Sequence, residues 1–101
     1  MIARHWRGLA HSQSADAYVG HLRAETFPGL ARVRGFLGAS LLRRTVAHGV
    51  EFLVITHWES LGAIARFAGD DVELAVVPEY VRTLMIECDD RARHYEVIDV
   101  T

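Results

Sequence analysis

Five side chains in this sequence have the chemistry to bind and alter a small molecule. His94, beside Tyr95 in the terminal run RHYEV, carries an imidazole that titrates near neutrality and suits removal of an acidic proton from an activated ring carbon. A histidine hydrogen-bonded within a sheet is the other reading of it. Trp58 offers a π-face for a planar ligand and an indole N–H for a carbonyl oxygen. A core tryptophan that anchors the following helix is the alternative there. Arg4 and Trp6 alternate onto one side of the opening MIARHWRG, where an arginine pairs with an anionic or phenolate oxygen; a surface ion pair accounts for Arg4 equally well. Together these make His94 the candidate catalytic residue and Trp58, Trp6, Arg4 and Tyr95 the candidate substrate contacts.

Other chemistries lack their residues. All eleven cations are arginine, so lysine-dependent phosphate loops and Schiff bases are excluded, and asparagine is absent as well. His5, His57 and His94 fall on neighbouring strands of the expected sheet, but His57 near the end of one and His94 near the start of another are expected at opposite ends, so no metal site is expected. The acidic neighbours of Cys88, the single cysteine, raise a thiol pKa and argue against a nucleophile; one cysteine also forbids an internal disulfide. A net charge of −2 without a basic stripe argues against nucleic acid. No apolar run reaches the roughly 18 residues of a membrane span, and the start MIARHWRG has no signal-peptide core, so a cytoplasmic protein is expected with no membrane partner. With 101 residues, half of them hydrophobic, one domain over 1–101 is expected.

The elements that must position these residues centre on FLVITHWESLGAIARFAGD. Phe52 to Trp58 alternates with apolar side chains on both faces and reads as a strand; Ser60 is placed as an N-cap, Leu61, Ile64, Ala65 and Ala68 follow at helical spacing, and Gly69 stops the helix. Residues 2 to 8 read as a first strand with Ile2, Arg4 and Trp6 on one face and Ala3, His5 and Arg7 on the other. Ala15, Tyr18, Val19, Leu22 and Thr26 form a one-sided helical stripe that Pro28-Gly29 is expected to end. Phe36 to Val46 reads as a strand turning at His48-Gly49, which sets Ala39 opposite Trp58, Leu41 opposite Thr56 and Leu42 opposite Ile55. Gly35, Gly38 and Ala39 leave room for a ring or a close backbone, or mark a bulge. A short helix is expected in DVELAVV, ending before Pro78, and a last strand over Arg91 to Val100 with His94 and Glu96 on one face and Tyr95 on the other.

The order β-α-β-β-α-β predicts an α+β, ferredoxin-like domain: a four-stranded antiparallel sheet with two helices on one face. Leu42, Leu53 and Ile55 then need a cover on the other face, and a second copy of the sheet predicts a homodimer.

WES-LGAIARFAGDD-VELAVV-PEY, the terminal RHYEV and the opening MIARHWRG together resemble the small members of the antibiotic biosynthesis monooxygenase family, the dimeric α+β barrel proteins. The resemblance implies two facing sheets in a dimer and a pocket in each protomer between sheet and helices. It implies a cofactor-independent monooxygenase-like activity on a small aromatic or polyketide-like compound, with no cofactor; a non-catalytic binding or structural protein of the same fold is the alternative. Related members degrade haem with an asparagine, tryptophan and histidine set, and the anthrone oxygenases also use asparagine. Only Trp58 carries over by its motif place at the end of the third strand.

Overall fold

The computed structural model describes residues 1–101 and has the β-α-β-β-α-β order that the sequence predicts. Strands β1 (Ile2–Ala10), β2 (Phe36–Val46), β3 (Gly49–Trp58), β4 (Met85–Cys88) and β5 (Arg93–Glu96) form one antiparallel sheet, in which β1 lies between β3 on one side and β4 and β5 on the other. The helices are α1 (Ala15–His21), α2 (Phe27–Leu30), α3 (Leu61–Ala68) and α4 (Glu79–Leu84).

The junction after β3 forms as its residues dictate. The Ser60 hydroxyl accepts the Ala63 N–H at 3.1 Å, and Gly69 ends α3 at φ 86°, a left-handed conformation that glycine adopts without strain. Along β1 and β3 the pairs Ile2 with Trp58, Arg4 with Thr56, Trp6 with Val54 and Gly8 with Phe52 put one set of side chains under the helices, while Ala3, His5 and Arg7 point to the opposite face with His57, Ile55 and Leu53.

Five sequence expectations need correction. The first helix does not stop at Pro28-Gly29: a π turn over Leu22–Thr26 joins α1 to α2, with the Phe27 N–H reaching the Leu22 carbonyl. Widening the winding just ahead of Pro28 accommodates a ring and a missing N–H that would break an α-helical turn. The hairpin turns at Ala47-His48, so Ala39 pairs with Thr56, Leu41 with Val54 and Leu42 with Leu53, two residues from the expected register. The faces survive, because side chains alternate with a period of two. Gly49 belongs to β3, and its smallness serves β1: a Cβ there would lie 2.3 Å from the Ala10 carbonyl oxygen. Residues 71–77 are not helical: a turn closed by the Leu74 N–H on the Asp71 carbonyl at 3.0 Å leads into a strap that is bridged at Leu74 to Arg91 and tied by the Asp71 to Arg91 ion pair at 2.7 Å; the helix comes after Pro78. The fourth strand is in two pieces, β4 and β5, that pair with opposite halves of β1. Because this strand begins at Met85, His94 lies beside Arg4 and His57 beside Ala3: the two histidines are at one end of the sheet, on opposite faces. Gly38 sits at an irregularity of β2, the bulge reading, and Gly35 takes φ 96° where a Cβ would meet that of Ala63 at 2.4 Å.

The core has two parts. Ala15, Tyr18, Leu22, Phe52, Val81 and Met85 pack between α1, α4 and the sheet; Leu30, Trp58, Ala63 and Ile64 pack beneath α3.

Candidate functional site

A cavity of about 460 Å³ opens between these two packed regions, within the range usual for small-molecule sites. Its floor is the helix-facing side of the sheet at Arg4, Trp6, Val54 and Thr56. The first helix supplies Tyr18, His21, Leu22, Glu25, Thr26 and Leu30, and Phe67, Val76, Val77 and Val81 close the rest. The wall is mostly apolar, with a small number of polar groups placed on it.

Arg4 is the most constrained of these. It is only 5% exposed, and its guanidinium donates from Nη1 to the Val72 carbonyl and from Nη2 to the Leu74 carbonyl at 2.9 Å. Nη1 also lies 2.7 Å from His94 Nε2; a guanidinium only donates, so Nε2 is the acceptor and the imidazole proton is on Nδ1. Burial pushes the His94 pKa below its usual value and the Arg4 charge pushes the same way, against a smaller opposing pull from Glu73. The Phe67 ring lies 5.8 Å from the guanidinium carbon, a cation–π contact.

Trp6 presents its ring to the cavity while its indole N–H donates to the Asp89 carbonyl at 2.8 Å. The ring lies over Gly8, where a Cβ would come within 2.9 Å of two of its carbons. Tyr18 meets Phe52 edge-on at 4.9 Å, and burial pushes its hydroxyl pKa upward.

Of the sequence-nominated residues, Arg4 and Trp6 are therefore on the wall and the other three are not. Trp58 is completely buried beneath it, its indole N–H donating to the Thr56 hydroxyl at 2.8 Å and its ring stacked 5.9 Å from Phe67. The polar group it was expected to offer a ligand is spent on its own strand. Tyr95 points to the opposite face of the sheet, packed edge-on against His5 at 4.9 Å. His94 is one contact behind the wall, against Arg4. His5 and His57 also face away from the cavity, and burial together with the His57 charge lowers the His5 pKa. The Cys88 thiol pKa is raised, by burial first and by Asp90 and Asp89 after it.

Sequence reasoning missed His21, Glu25, Thr26 and Thr56 as wall residues. The signal for two of them was present: Thr26 continues the helical stripe that runs through Tyr18 and Leu22, and His21 flanks it.

No family model matches the chain, and no curated protein sequence matches it. Its fold is that of solved antibiotic biosynthesis monooxygenase-type structures. A Bacillus cereus protein provisionally named an antibiotic biosynthesis monooxygenase superposes with a TM-score of 0.68 at 20% identity, over 99% of this chain and 93% of that one. SnoaB, a cofactor-independent oxygenase from Streptomyces nogalater, superposes with a TM-score of 0.67 at 18% identity, over 98% and 94%. MhuD, a heme-degrader from Mycobacterium tuberculosis with two hemes bound in its active site, superposes with a TM-score of 0.61 at 21% identity, over 100% of each chain.

Proposed function

We propose that this chain is a cofactor-independent monooxygenase-like protein that takes a small aromatic or polyketide-like compound into the cavity between sheet and helices. The observation that carries this reading is the cavity itself: about 460 Å³, largely apolar, floored by an aromatic ring and an arginine, in a fold shared with a cofactor-independent oxygenase. A largely apolar cavity floored by an aromatic ring suits a planar substrate, and the chemistry requires that this substrate be acidic at one ring carbon. Loss of that proton gives a carbanion able to pass an electron to dioxygen; the ring CH₂ becomes a carbonyl, one oxygen atom enters the product and the other leaves as water. Trp6 would meet the ring, and His21, the one histidine on the wall, is the group best placed to take the proton. His94 acts through Arg4.

The reading is tested by following oxygen consumption with an anthrone or a hydroquinone in metal-free buffer. Uptake that saturates with substrate and falls in His21→Gln supports it. The alternative, a small-molecule-binding protein without chemistry, is favoured by the absence of asparagine and gives ligand binding with no oxygen uptake.

We also infer a homodimer formed through the sheet face that carries no helix. Leu42 and Tyr95 are about half exposed there, at 47% and 50%, Leu42 opposite Leu53 on β3 and Tyr95 opposite Ala3 on β1. A second copy of the same face covers this patch with two-fold symmetry. No helix is long and apolar enough to cross a membrane.

A further inference from the structure

We propose that the cavity takes its ligand as an oxyanion, an aromatic or polyketide-like carboxylate or phenolate docked on the Arg4 guanidinium, and that His94 and the carbonyls of Val72 and Leu74 are the groups that hold that guanidinium in place. The proposal rests on the cavity being the ligand site, and it names the class of compound the site accepts.

A buried cation is normally matched by a carboxylate, because desolvating an unneutralised charge is expensive. Arg4 has none. The ion pairs of the chain join Arg7, Arg43, Arg44 and Arg91 to acidic partners and leave Arg4 out. Every group that it touches is neutral: two backbone carbonyls, an imidazole lone pair and the Phe67 ring. Such partners fix the direction of the guanidinium without cancelling its charge. Their contacts occupy Nη1 and part of Nη2, leaving Nε–H and one Nη2 hydrogen without a partner. No fully buried side-chain polar atom lacks a hydrogen-bond partner, so the unbonded Nε keeps some accessible surface, and Arg4 is a lining residue of the cavity. We assign the Leu74 carbonyl to the Nη2 hydrogen nearer Nη1, so that Nε–H and the other Nη2 hydrogen form the side edge of the guanidinium, the fork that binds two oxygens of a carboxylate or one phenolate oxygen. Trp6, Val54 and Phe67 then surround the apolar body beside that edge.

The test compares two probes of nearly equal shape, 2-naphthoate and its methyl ester, by calorimetry at pH 7.5. Wild-type protein is expected to bind the acid at least about 10-fold more tightly than the ester, the range for a charge-assisted pair in a sheltered site. Arg4→Gln is expected to bring the ratio close to 1 while leaving ester binding within about 3-fold, and Arg4→Lys, which keeps the charge but not the fork, is expected to fall between. The lysine variant and the wild-type ratio decide the matter if Arg4→Gln does not fold by circular dichroism. His94→Gln, whose amide oxygen still accepts from Nη1, is expected to retain the preference that His94→Leu loses. A wild-type ratio near 1, or a preference that persists in Arg4→Gln, overturns the proposal; equal preference in His94→Leu and wild type overturns the role of His94. Oxygen uptake with neutral anthrone is read separately. Acid preference without uptake leaves the oxyanion site standing and removes the oxygenase reading, and uptake without acid preference does the reverse.

Discussion

Arg4 Nη1 and His94 Nε2 face each other at 2.7 Å, with the imidazole lone pair receiving the hydrogen bond, and this fixes the charge state of His94 in the folded chain. Protonating that nitrogen would set two cations in contact. The histidine must therefore stay neutral for the contact to persist.

A pH dependence of stability follows. The folded-state pKa of His94 lies below its usual 6.5, through burial first and Arg4 second, and that of His5 is lowered by burial and by His57. Between the folded and unfolded pKa values the unfolded chain binds more protons, so stability rises with pH through that window. The contribution is fully present above about pH 6.5 and is lost as the pH falls through the folded values. Melting temperatures measured from pH 7.5 to 5 are expected to fall, and His94→Gln is expected to flatten the fall. A curve unchanged by His94→Gln would assign the acid sensitivity to His5 or to carboxylates. Those titrate lower, since Glu51 and Asp71 are held below their ordinary range by hydrogen bonds from Arg44 and Arg91 respectively.

Gly8 sets the depth of the cavity floor. A Cβ at this position would lie 2.8 Å from one carbon of the Trp6 ring and 3.0 Å from the Met85 sulfur, so Gly8→Ala must push the indole toward the cavity. The expected outcome is a loss of about 1 to 3 kcal/mol, the range for overpacking, together with weaker binding of any ligand that uses Trp6. Denaturant unfolding and ligand titration on the same variant check both. Unchanged binding would show that the Trp6 ring does not touch the ligand.

The sequence carried the parts of this architecture that depend on local chemistry. Ser60 and Gly69 bounded α3 because capping is a property of adjacent residues, and strict alternation assigned Arg4 and Trp6 to one face and His5 to the other. Properties set by distant partners were not legible. Gly49 reads as a turn residue until Ala10 is known to cross it, and residues 71–77 read as helical until Asp71 is paired with Arg91 and the Leu74 carbonyl with Arg4. The same limit governs the site. Trp58 is at the end of β3 as expected, yet only the packed structure reveals that Thr56 takes its N–H and that Phe67 and Thr56 stand on the cavity wall in its place. The π turn over Leu22–Thr26, which brings Glu25 to the wall, has no sequence signature beyond the proline that follows it.

The Trp58 to Thr56 hydrogen bond gives a sharp stability test. Thr56→Val keeps the side-chain shape but leaves a completely buried indole N–H with no acceptor, which typically costs about 1 to 3 kcal/mol. Trp58→Phe removes the donor and its need at once, and its cost is expected to come from lost packing against Phe36 and Phe67. In a double variant the loss should be less than the sum of the two, because without the indole the valine strands nothing. Additive losses in denaturant unfolding would show that the hydrogen bond contributes nothing to stability.

The uncovered sheet face leads to the last expectation. The helices pack over Phe52, Trp58 and their neighbours, so the opposite face has no helix on it and Leu53 and Ile55 there are only partly buried. On that face Leu42 lies directly opposite Leu53 and Ser40 opposite Ile55, and Tyr95 packs on His5 two strands away. A patch that spans the sheet from β2 to β5 is wide enough for an isologous contact, in which each copy presents the same residues to the other. Leu42 is at its open edge and 47% exposed, so Leu42→Glu should cost little in the folding of one chain, whereas a carboxylate in the two-sheet interface would be desolvated. Light scattering at micromolar concentration is expected to give twice the 11.3 kDa chain mass for the wild type and the single chain mass for Leu42→Glu, with the circular dichroism spectrum retained. A wild-type mass of 11.3 kDa would remove the dimer, and a Leu42→Glu variant that stays at twice that mass would move the interface off this face.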